Sequence, residues 1–248
     1  MSPVVNVSFA LPHIAVIEMA DRANMNQFTR DLVIGLVQAL EQAQANPDTR
    51  VVVLHGFDNV FCTGGTRDEL LGIHERKIRF DDLPLYRLLL DCTLPVVAAM
   101  QGHALGGGLV MGLFADAIVL AEEAIYSANF MKYGFTPGMG ATLILPEKFG
   151  TALASEMMLS AGGYQGGELA RRGVGVQVVK RKEVIALALR LARDIADKPR
   201  ISLTLLKHHL TAHIRAALPA TVAAERLMHE TTFTGHEVRE RIETRFGD

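Results

Sequence analysis

Hydrophobic and polar residues alternate at the start of the chain. The run Val5-Asn6-Val7-Ser8-Phe9 has a period of two, Leu11-Pro12 is typical of a turn, and a second apolar run covers Ile14–Met19. This pattern predicts a β-hairpin.

Helical and strand-like patterns then follow one another along the chain. Buried parallel strands are typically short continuous apolar runs, whereas amphipathic helices repeat their apolar positions every three or four residues. The predicted elements are helix 27–45, strand 50–54, helix 82–90, strand 95–100, helix 108–115, strand 117–120 and helix 152–160.

The pattern becomes entirely helical beyond residue 180. Helices are predicted over 181–197, 199–217 and 219–233, each bounded by a proline or glycine signal. No long linker, repeat or low-complexity segment separates this part from the rest. We therefore expect an α/β core over 1–180 and a helical C-terminal region over 181–248 that is not an independent domain.

Composition narrows the possible functions. The chain has 248 residues, of which 49% are hydrophobic, so it can bury a sizeable core, and its net charge of -2 disfavours nucleic acid and anionic membranes as partners. Cys62 and Cys92 are too few for a disulfide framework and lack the neighbours of a zinc site. No targeting segment and no apolar stretch of about 18 residues is evident, so we expect a cytoplasmic protein.

Two glycine-containing turns follow predicted buried strands. They are Phe61-Cys62-Thr63-Gly64-Gly65-Thr66 and Gly102-His103-Ala104-Leu105-Gly106-Gly107-Gly108. Glycine lets the backbone approach a ligand closely, and the second turn enters a helix whose first amides are unpaired donors suited to an oxyanion. Tight strand–helix packing is the alternative explanation. Neither turn has the Gly-Lys-Ser/Thr ending of a phosphate loop.

These turns, the run 95–108 and the later Gly134-Phe135-Thr136-Pro137-Gly138-Met139-Gly140 together resemble the crotonase (enoyl-CoA hydratase/isomerase) superfamily. The resemblance covers nearly the whole chain, including Asn24-Met25-Asn26 and the helical tail. It implies an α/β fold of repeated ββα units, with two roughly perpendicular sheets surrounded by helices. It also implies a homotrimer or dimer of trimers, with the C-terminal helices used for trimerisation and as an active-site lid.

The resemblance implies an oxyanion hole made of two backbone N–H groups. The matching donors are Gly65 and Gly107, and the residues expected around the substrate are Gly64, Gly106, Phe130 and Gly138. Such preorganised donors supply about 3–4 kcal/mol each in well-studied acyl-transfer sites.

Two positions depart from the hydratases of this superfamily. The hydratases carry glutamates where this chain has Val110 and Phe130. Neither side chain can position or deprotonate water, so simple hydration is not expected. An enolate can also be formed by losing carbon dioxide, which needs no base at the α-carbon.

The segment 129–142, with Met100-Gln101-Gly102-His103 and Met228-His229-Glu230, resembles the decarboxylating enoyl-CoA hydratase homologues of bacterial polyketide β-branching cassettes. This resemblance implies decarboxylation of a 3-methylglutaconyl-type thioester to a 3-methylcrotonyl-type thioester through a dienolate. The acyl group would be carried on the phosphopantetheine of an acyl carrier protein, or on CoA. No metal and no separate cofactor are implied.

The same subfamily implies a functional lysine and histidine, for which the best matches are Lys77 and His229. No motif fixes the register around Lys77, so Arg79 is an alternative. We expect this pair to bind the departing carboxylate, and one of them, or a water between them, to protonate the dienolate. Tyr86 is a candidate for orienting the carboxylate, or is an amphipathic core residue. Without the resemblance, Lys77 would be interpreted as a solvated loop lysine and His229 as a half-buried helix histidine.

Other polar residues receive structural interpretations. His103 and Cys62 border the glycine turns, where packing or a backbone hydrogen bond suffices. Four histidines of the tail are expected at the surface: His208, His209, His213 and His236.

The tail also contains a basic stretch without acidic residues. Lys198, Arg200, Lys207 and Arg215 give residues 198–215 a local charge of +4. We expect this surface to attract an acidic carrier protein or the phosphates of CoA, with a merely solvated helix face as the alternative. Two other functions remain open, an enoyl-thioester double-bond isomerase and a non-catalytic or RNA-binding relative.

Overall fold

The computed structural model describes residues 4–79 and 84–246, which form two β-sheets surrounded by helices. The strands are β1 Val5–Leu11, β2 Ile14–Met19, β3 Val51–His55, β4 Val60–Cys62, β5 Val96–Met100, β6 His103–Leu105, β7 Ala117–Ala121, β8 Ile125–Ser127, β9 Tyr164–Gln165 and β10 Gln177–Val179. The helices are α1 Arg30–Ala45, α2 Arg67–His74, α3 Leu88–Asp91, α4 Gly107–Leu113, α5 Ala141–Phe149, α6 Thr151–Ser160, α7 Gly166–Arg171, α8 Arg181–Ala196, α9 Arg200–Leu210, α10 Ala212–Thr232 and α11 His236–Arg245. Two 3-10 turns cover Pro84–Arg87 and Asn129–Tyr133.

The larger sheet has six strands in the order β1-β2-β3-β5-β7-β10. The predicted hairpin is confirmed, because β1 and β2 pair antiparallel, and every other neighbouring pair is parallel. All five residues of β5 are buried, as expected for a parallel strand covered on both faces.

The smaller sheet has the order β4-β6-β8-β9. Each repeat places one strand in the larger sheet, the next in the smaller sheet and then a helix, as in β3-β4-α2 and β5-β6-α4. This is the ββα pattern that the resemblance implied. Because β4 and β6 are parallel neighbours, the two glycine turns at their carboxyl ends lie side by side.

The first long helix begins later than predicted. Thr29 is its N-cap, and the Thr29 hydroxyl accepts a hydrogen bond from Leu32 N–H. Phe28 is not helical because its N–H donates to Gly64 O (2.8 Å). The residues before α1 therefore help to hold the first glycine turn.

The predicted helix break at Pro219 is wrong. The break lies at Thr211, and α10 runs through Pro219 as one helix of 21 residues. Proline removes one backbone hydrogen bond and disfavours a helix interior. The continuous buried face of α10, which includes Leu218 and Val222, outweighs this cost and carries Glu225 and His229 one and two turns further on.

The structure differs from the predicted helix 82–90 and leaves the predicted division of the chain untested. The predicted helix 82–90 lies partly outside the described residues, and its described part is a 3-10 turn followed by the four-residue α3. The division at residues 180 and 181 remains a prediction, although α8 beyond it packs on β3, β5 and β7.

The basic stretch of the tail does not form the expected basic surface. Lys207 is buried, with its Nζ 2.8 Å from Asp116 Oδ2, and Arg200 and Arg215 donate to backbone carbonyls of earlier segments. Lys198 pairs with the neighbouring aspartate. These cations stabilise the fold because they satisfy carbonyls and a carboxylate within the chain. Within the described residues, no helix is long and apolar enough to cross a membrane.

Candidate active site

A cavity lies where both glycine turns meet α2, α10 and the segment after β8. It spans about 880 Å³ of space between the atoms, part of which is open solvent at its mouth. Its walls are mainly apolar, and the aromatic side chains among them are Phe28, Phe130, Tyr133, Phe135, Phe233 and Phe246.

The first glycine turn is in direct contact with the second. Gly64 has φ +86°, and a Cβ there would lie 2.8 Å from Leu105 O and 3.2 Å from Gly107 N. A side chain would be strained at this φ and would clash with backbone that cannot move independently. Glycine at position 64 therefore allows the two turns to approach each other.

The predicted oxyanion donors Gly65 and Gly107 both line the cavity. Gly106, with φ +51° and ψ -123°, turns the chain into α4 so that Gly107 is its first residue. Within the described parts of the chain, neither Gly65 N–H nor Gly107 N–H donates a hydrogen bond. Two backbone donors from adjacent turns are thus available to a ligand oxygen in one cavity.

The positions of the hydratase glutamates are apolar in the structure as well. Val110 is fully buried in α4, and Phe130 forms part of the cavity wall, as does Gly138. The cavity therefore contains no carboxylate at either position that the hydratase mechanism requires.

His229 lies in the cavity wall and is 5% exposed. Its Nε2 is 2.7 Å from Thr136 O. Because a carbonyl oxygen only accepts, Nε2 is the donor in this contact, and in the neutral ring Nδ1 is then an acceptor. The rings of Phe135 and Phe233 pack edge-on against the imidazole, with centroids 6.0 and 4.9 Å away.

A buried carboxylate positions the helix that carries His229. Glu225 accepts hydrogen bonds from Gly140 N–H (2.7 Å), Thr142 N–H (2.9 Å) and the Thr142 hydroxyl (2.7 Å). These donors lie at the start of α5, where a negative charge is favourable. Burial is the largest influence on this group and raises the pKa of Glu225. The contact ties α10 to the segment whose Thr136 carbonyl holds His229.

The structure does not bring Lys77 to the cavity. Its side chain is 72% exposed, and Nζ lies 2.6 Å from Glu75 Oε2. The chain reverses after α2, where Arg76 has φ +58° and the N–H groups of Lys77 and Ile78 both donate to Gly72 O. This reversal turns Lys77 outward.

The alternative cation, Arg79, lines the cavity together with His229. Tyr86 does not. It is half-buried in a separate groove beside Arg87 and Arg215, while Leu85 reaches the cavity instead. A 3-10 turn at this point gives side-chain directions that a regular helix would not.

Sequence reasoning missed one charged residue of the cavity wall, Glu69. Glu69 and Thr66 form a capping box at the start of α2: Thr66 N–H donates to Glu69 Oε2 (2.9 Å), and Glu69 N–H donates to the Thr66 hydroxyl (3.1 Å). Burial raises the pKa of Glu69 and outweighs these hydrogen bonds. The Thr-x-x-Glu spacing after the first glycine turn was the signal that could have revealed both the helix and this residue.

His103 and Cys62 make backbone hydrogen bonds beside the glycine turns, as predicted. His103 Nδ1 accepts from Ile125 N–H (3.0 Å), and Cys62 Sγ donates to Asn26 O (2.9 Å). Burial raises the pKa of Cys62 to about 12, so its thiol stays protonated. The four tail histidines are exposed, as predicted.

Comparison with known proteins tests the family. A family model described as enoyl-CoA hydratase/isomerase matches residues 12–246. The chain belongs to the enoyl-CoA hydratase/isomerase family. Among curated members, it is 50% identical to the bacillaene synthase decarboxylase PksI of Bacillus subtilis (strain 168) over 232 residues, which are 94% of this chain and 93% of the relative.

Solved structures of this family give the same result. One belongs to a dehydratase/decarboxylase enzyme couple involved in polyketide β-branching; it has a TM-score of 0.97 and 48% identity, and the match covers 99% of this chain and all of that one. The ECH2 decarboxylase domain of CurF from Lyngbya majuscula has a TM-score of 0.94 and 40% identity, with 98% and 99% of the two chains covered. The predicted crotonase fold and the predicted decarboxylase activity are confirmed by these comparisons.

Proposed function

We propose that the protein decarboxylates a 3-methylglutaconyl-type thioester on an acyl carrier protein, giving a 3-methylcrotonyl-type thioester during polyketide β-branch formation. The observation that carries this proposal is the cavity itself. It retains the paired donors Gly65 and Gly107, has Val110 and Phe130 in place of the hydratase glutamates, and contains the buried His229. Similarity to decarboxylases of polyketide β-branching supports the substrate class.

The proposed reaction uses the thioester carbonyl as the electron sink, and the two N–H groups stabilise the oxyanion that forms there. The thioester oxygen accepts hydrogen bonds from Gly65 and Gly107. The bond from the distal carboxylate to its neighbouring carbon breaks, carbon dioxide leaves, and the electron pair delocalises onto the thioester oxygen as a dienolate. The donors bind the dienolate oxygen more strongly than the neutral carbonyl, which is the condition for rate acceleration.

The apolar walls assist the same step. A carboxylate loses hydration when it enters a cavity lined by phenylalanine, whereas neutral carbon dioxide does not require that hydration. The negative charge of the dienolate intermediate is delocalised onto the thioester oxygen, which the two N–H donors bind. The cavity therefore destabilises the localised charge of the substrate carboxylate more than the delocalised charge of the dienolate.

We assign recognition of the departing carboxylate to His229 and Arg79, which line the cavity together. With Nε2 held by Thr136 O, a protonated His229 presents Nδ1–H to an anion. The exposed ion pair of Lys77 gives that residue no comparable place in the reaction.

The proposal includes phosphopantetheine carried by an acyl carrier protein or CoA, a homotrimer or dimer of trimers, a cytoplasmic location, and no metal or separate cofactor. An assembly is supported by apolar side chains that are more than half exposed on α9 and α10. These are Ile201, Leu205, Leu206, Leu210 and Leu227.

The test is incubation with a 3-methylglutaconyl group loaded on a carrier protein and, separately, on CoA, followed by intact mass measurement. The proposal expects the acyl mass to fall by one carbon dioxide, faster on the carrier protein. Double-bond isomerisation is the second candidate, because Glu69 places a carboxyl group in the cavity, and a carboxyl group that transfers protons is what that reaction needs. It would leave the mass unchanged and move the double bond.

A further inference from the structure

We propose that Glu69 donates the proton that converts the dienolate into the product. The inference rests on the proposed decarboxylation. After carbon dioxide has left, the dienolate must be protonated, and this step needs an acid in the cavity.

The position of Glu69 is the first observation. Within residues 4–79 and 84–246, it is the only carboxylic acid among the residues that line the cavity. It lies in the first turn of α2, four residues after the oxyanion donor Gly65. Its Oε2 is 3.8 Å from the point where a Cβ on Gly65 would lie. The carboxyl group therefore lies next to the turn that supplies this donor.

The two carboxyl oxygens of Glu69 have different roles. Oε2 is close to both donors of Thr66, the N–H at 2.9 Å and the hydroxyl at 3.2 Å. Oε1 makes no hydrogen bond to any described residue. Because Oε2 is occupied as an acceptor, a proton on this carboxyl group resides on Oε1. The capping box thus fixes the orientation of an acid whose protonated oxygen is not engaged within the protein.

Electrostatics favour a neutral Glu69 before the reaction. Burial disfavours its ionised form, and an ionised carboxylate here would repel both the substrate carboxylate and the developing oxyanion. After transfer, Thr66 stabilises the resulting carboxylate with its two donors. The surroundings of Glu69 therefore suit both states of a general acid.

The step balances as follows. The O–H bond at Oε1 breaks, and a C–H bond forms at the carbon from which carbon dioxide departed, using the electron pair of the dienolate. The product leaves as a neutral acyl group, Glu69 remains as a carboxylate, and water returns the proton. His229, whose Nε2–H is held by Thr136 O, remains assigned to the carboxylate that departs.

The test compares two single variants that separate acidity from structure. Glu69→Gln keeps the size and the capping box, because glutamine at this helix position also accepts from the N-cap backbone, but it has no acidic proton. Thr66→Ala removes the capping hydroxyl and leaves the carboxyl group in place. Each variant is incubated with the 3-methylglutaconyl carrier protein in D2O, and carbon dioxide release, deuterium position and melting temperature are measured.

We expect Glu69→Gln to melt close to the wild type and to turn over at least about tenfold more slowly, since a positioned general acid contributes about 10²–10⁴ in rate. Undirected protonation by solvent should also place deuterium at the α-carbon in part of the product. Thr66→Ala should melt lower and lose part of its turnover, because Glu69 is then less well oriented. It keeps the acidic proton, and should therefore keep deuterium at a single carbon and the pH dependence. Turnover of the wild type should fall as pH rises through the raised pKa of Glu69, and Glu69→Gln should lose this dependence.

The inference would be overturned if Glu69→Gln lost less than about tenfold in turnover and placed deuterium at the same single carbon as the wild type. Mixed deuteration or loss of the pH dependence in Thr66→Ala, to the same extent as in Glu69→Gln, would also overturn it, because the effect would then come from the capping box and not from the acidic proton. The proposed function fails separately, if the wild type releases no carbon dioxide at all. The wild-type pH profile gives a measurement that does not depend on either variant folding.

Discussion

Gly64 provides the strongest single test of the oxyanion hole, because its neighbour supplies a matched control. In Gly64→Ala, the new Cβ would lie 2.8 Å from Leu105 O and 3.2 Å from Gly107 N, at a φ of +86°. The left-handed conformation costs an alanine about 1–2 kcal/mol, and relieving the backbone clash costs about 1–3 kcal/mol more. We therefore expect a loss of about 2–5 kcal/mol in unfolding free energy.

The clash also displaces one or both oxyanion donors. Loss of one such donor lowers the rate by about 10²–10³. Gly65→Ala is the control, since its Cβ would meet nothing closer than 3.7 Å and the N–H of residue 65 is retained. Thermal melting should show Gly64→Ala lower by about 2–4 °C for each kcal/mol, with Gly65→Ala close to the wild type.

The rate of carbon dioxide release should follow the same order. Near-normal activity in folded Gly64→Ala would refute the reasoning that contact between the two turns sets the oxyanion hole. Equal losses in both variants would refute it as well, because the geometry distinguishes the two positions.

Three further predictions concern charged residues. Arg79→Ala should slow carbon dioxide release by at least about tenfold, and Lys77→Ala should stay within about twofold of the wild type, because of these two residues only Arg79 lines the cavity. Equal losses of both variants in steady-state assays would contradict this. Lys207→Met should lower the unfolding free energy, measured in urea, by about 3–5 kcal/mol, since it leaves the carboxylate of Asp116 without its buried partner. A loss below about 1 kcal/mol would contradict a stabilising role for this ion pair. Burial raises the pKa of Glu225, so the folded protein holds a proton that the unfolded chain releases. Its unfolding free energy should therefore fall relative to that of Glu225→Gln as pH rises from the ordinary carboxyl pKa through the raised one. If urea unfolding gave the same pH dependence for both proteins over this range, the shift would be contradicted.

Much of the fold could be predicted because its signals are local. The apolar runs of β3 and β5, the alternation of β1 and the helical periodicity of α1 and α8 depend on neighbours in sequence, and each of these elements lies within a few residues of its predicted bounds. The glycines of the two turns gave positions for the oxyanion donors because their spacing matched a family motif.

The remaining features depend on tertiary contacts that local patterns do not reveal. The strands of the smaller sheet have two or three residues each, too few for a periodic signal. Pro219 was predicted to end a helix that packing keeps intact. Lys207 was predicted on a basic surface, but it is buried because distant carbonyls and Asp116 converge on it.

The cation proposed to bind the carboxylate shows the same limit at the candidate site. Lys77 and Arg79 are two residues apart in a stretch without periodicity, and only the chain reversal at Arg76 separates their directions. By contrast, the capping box that positions Glu69 was present in the sequence as a local signal.

One isotope experiment tests the central claim most directly. The protein is given a 3-methylglutaconyl carrier protein whose distal carboxyl carbon is labelled with ¹³C, and the gas and the acyl group are both analysed by mass spectrometry. We predict that the label appears as carbon dioxide and that the remaining acyl group carries no added water. Label retained in an acyl group that has gained one water would contradict the account, because it would show that the cavity hydrates despite Val110 and Phe130.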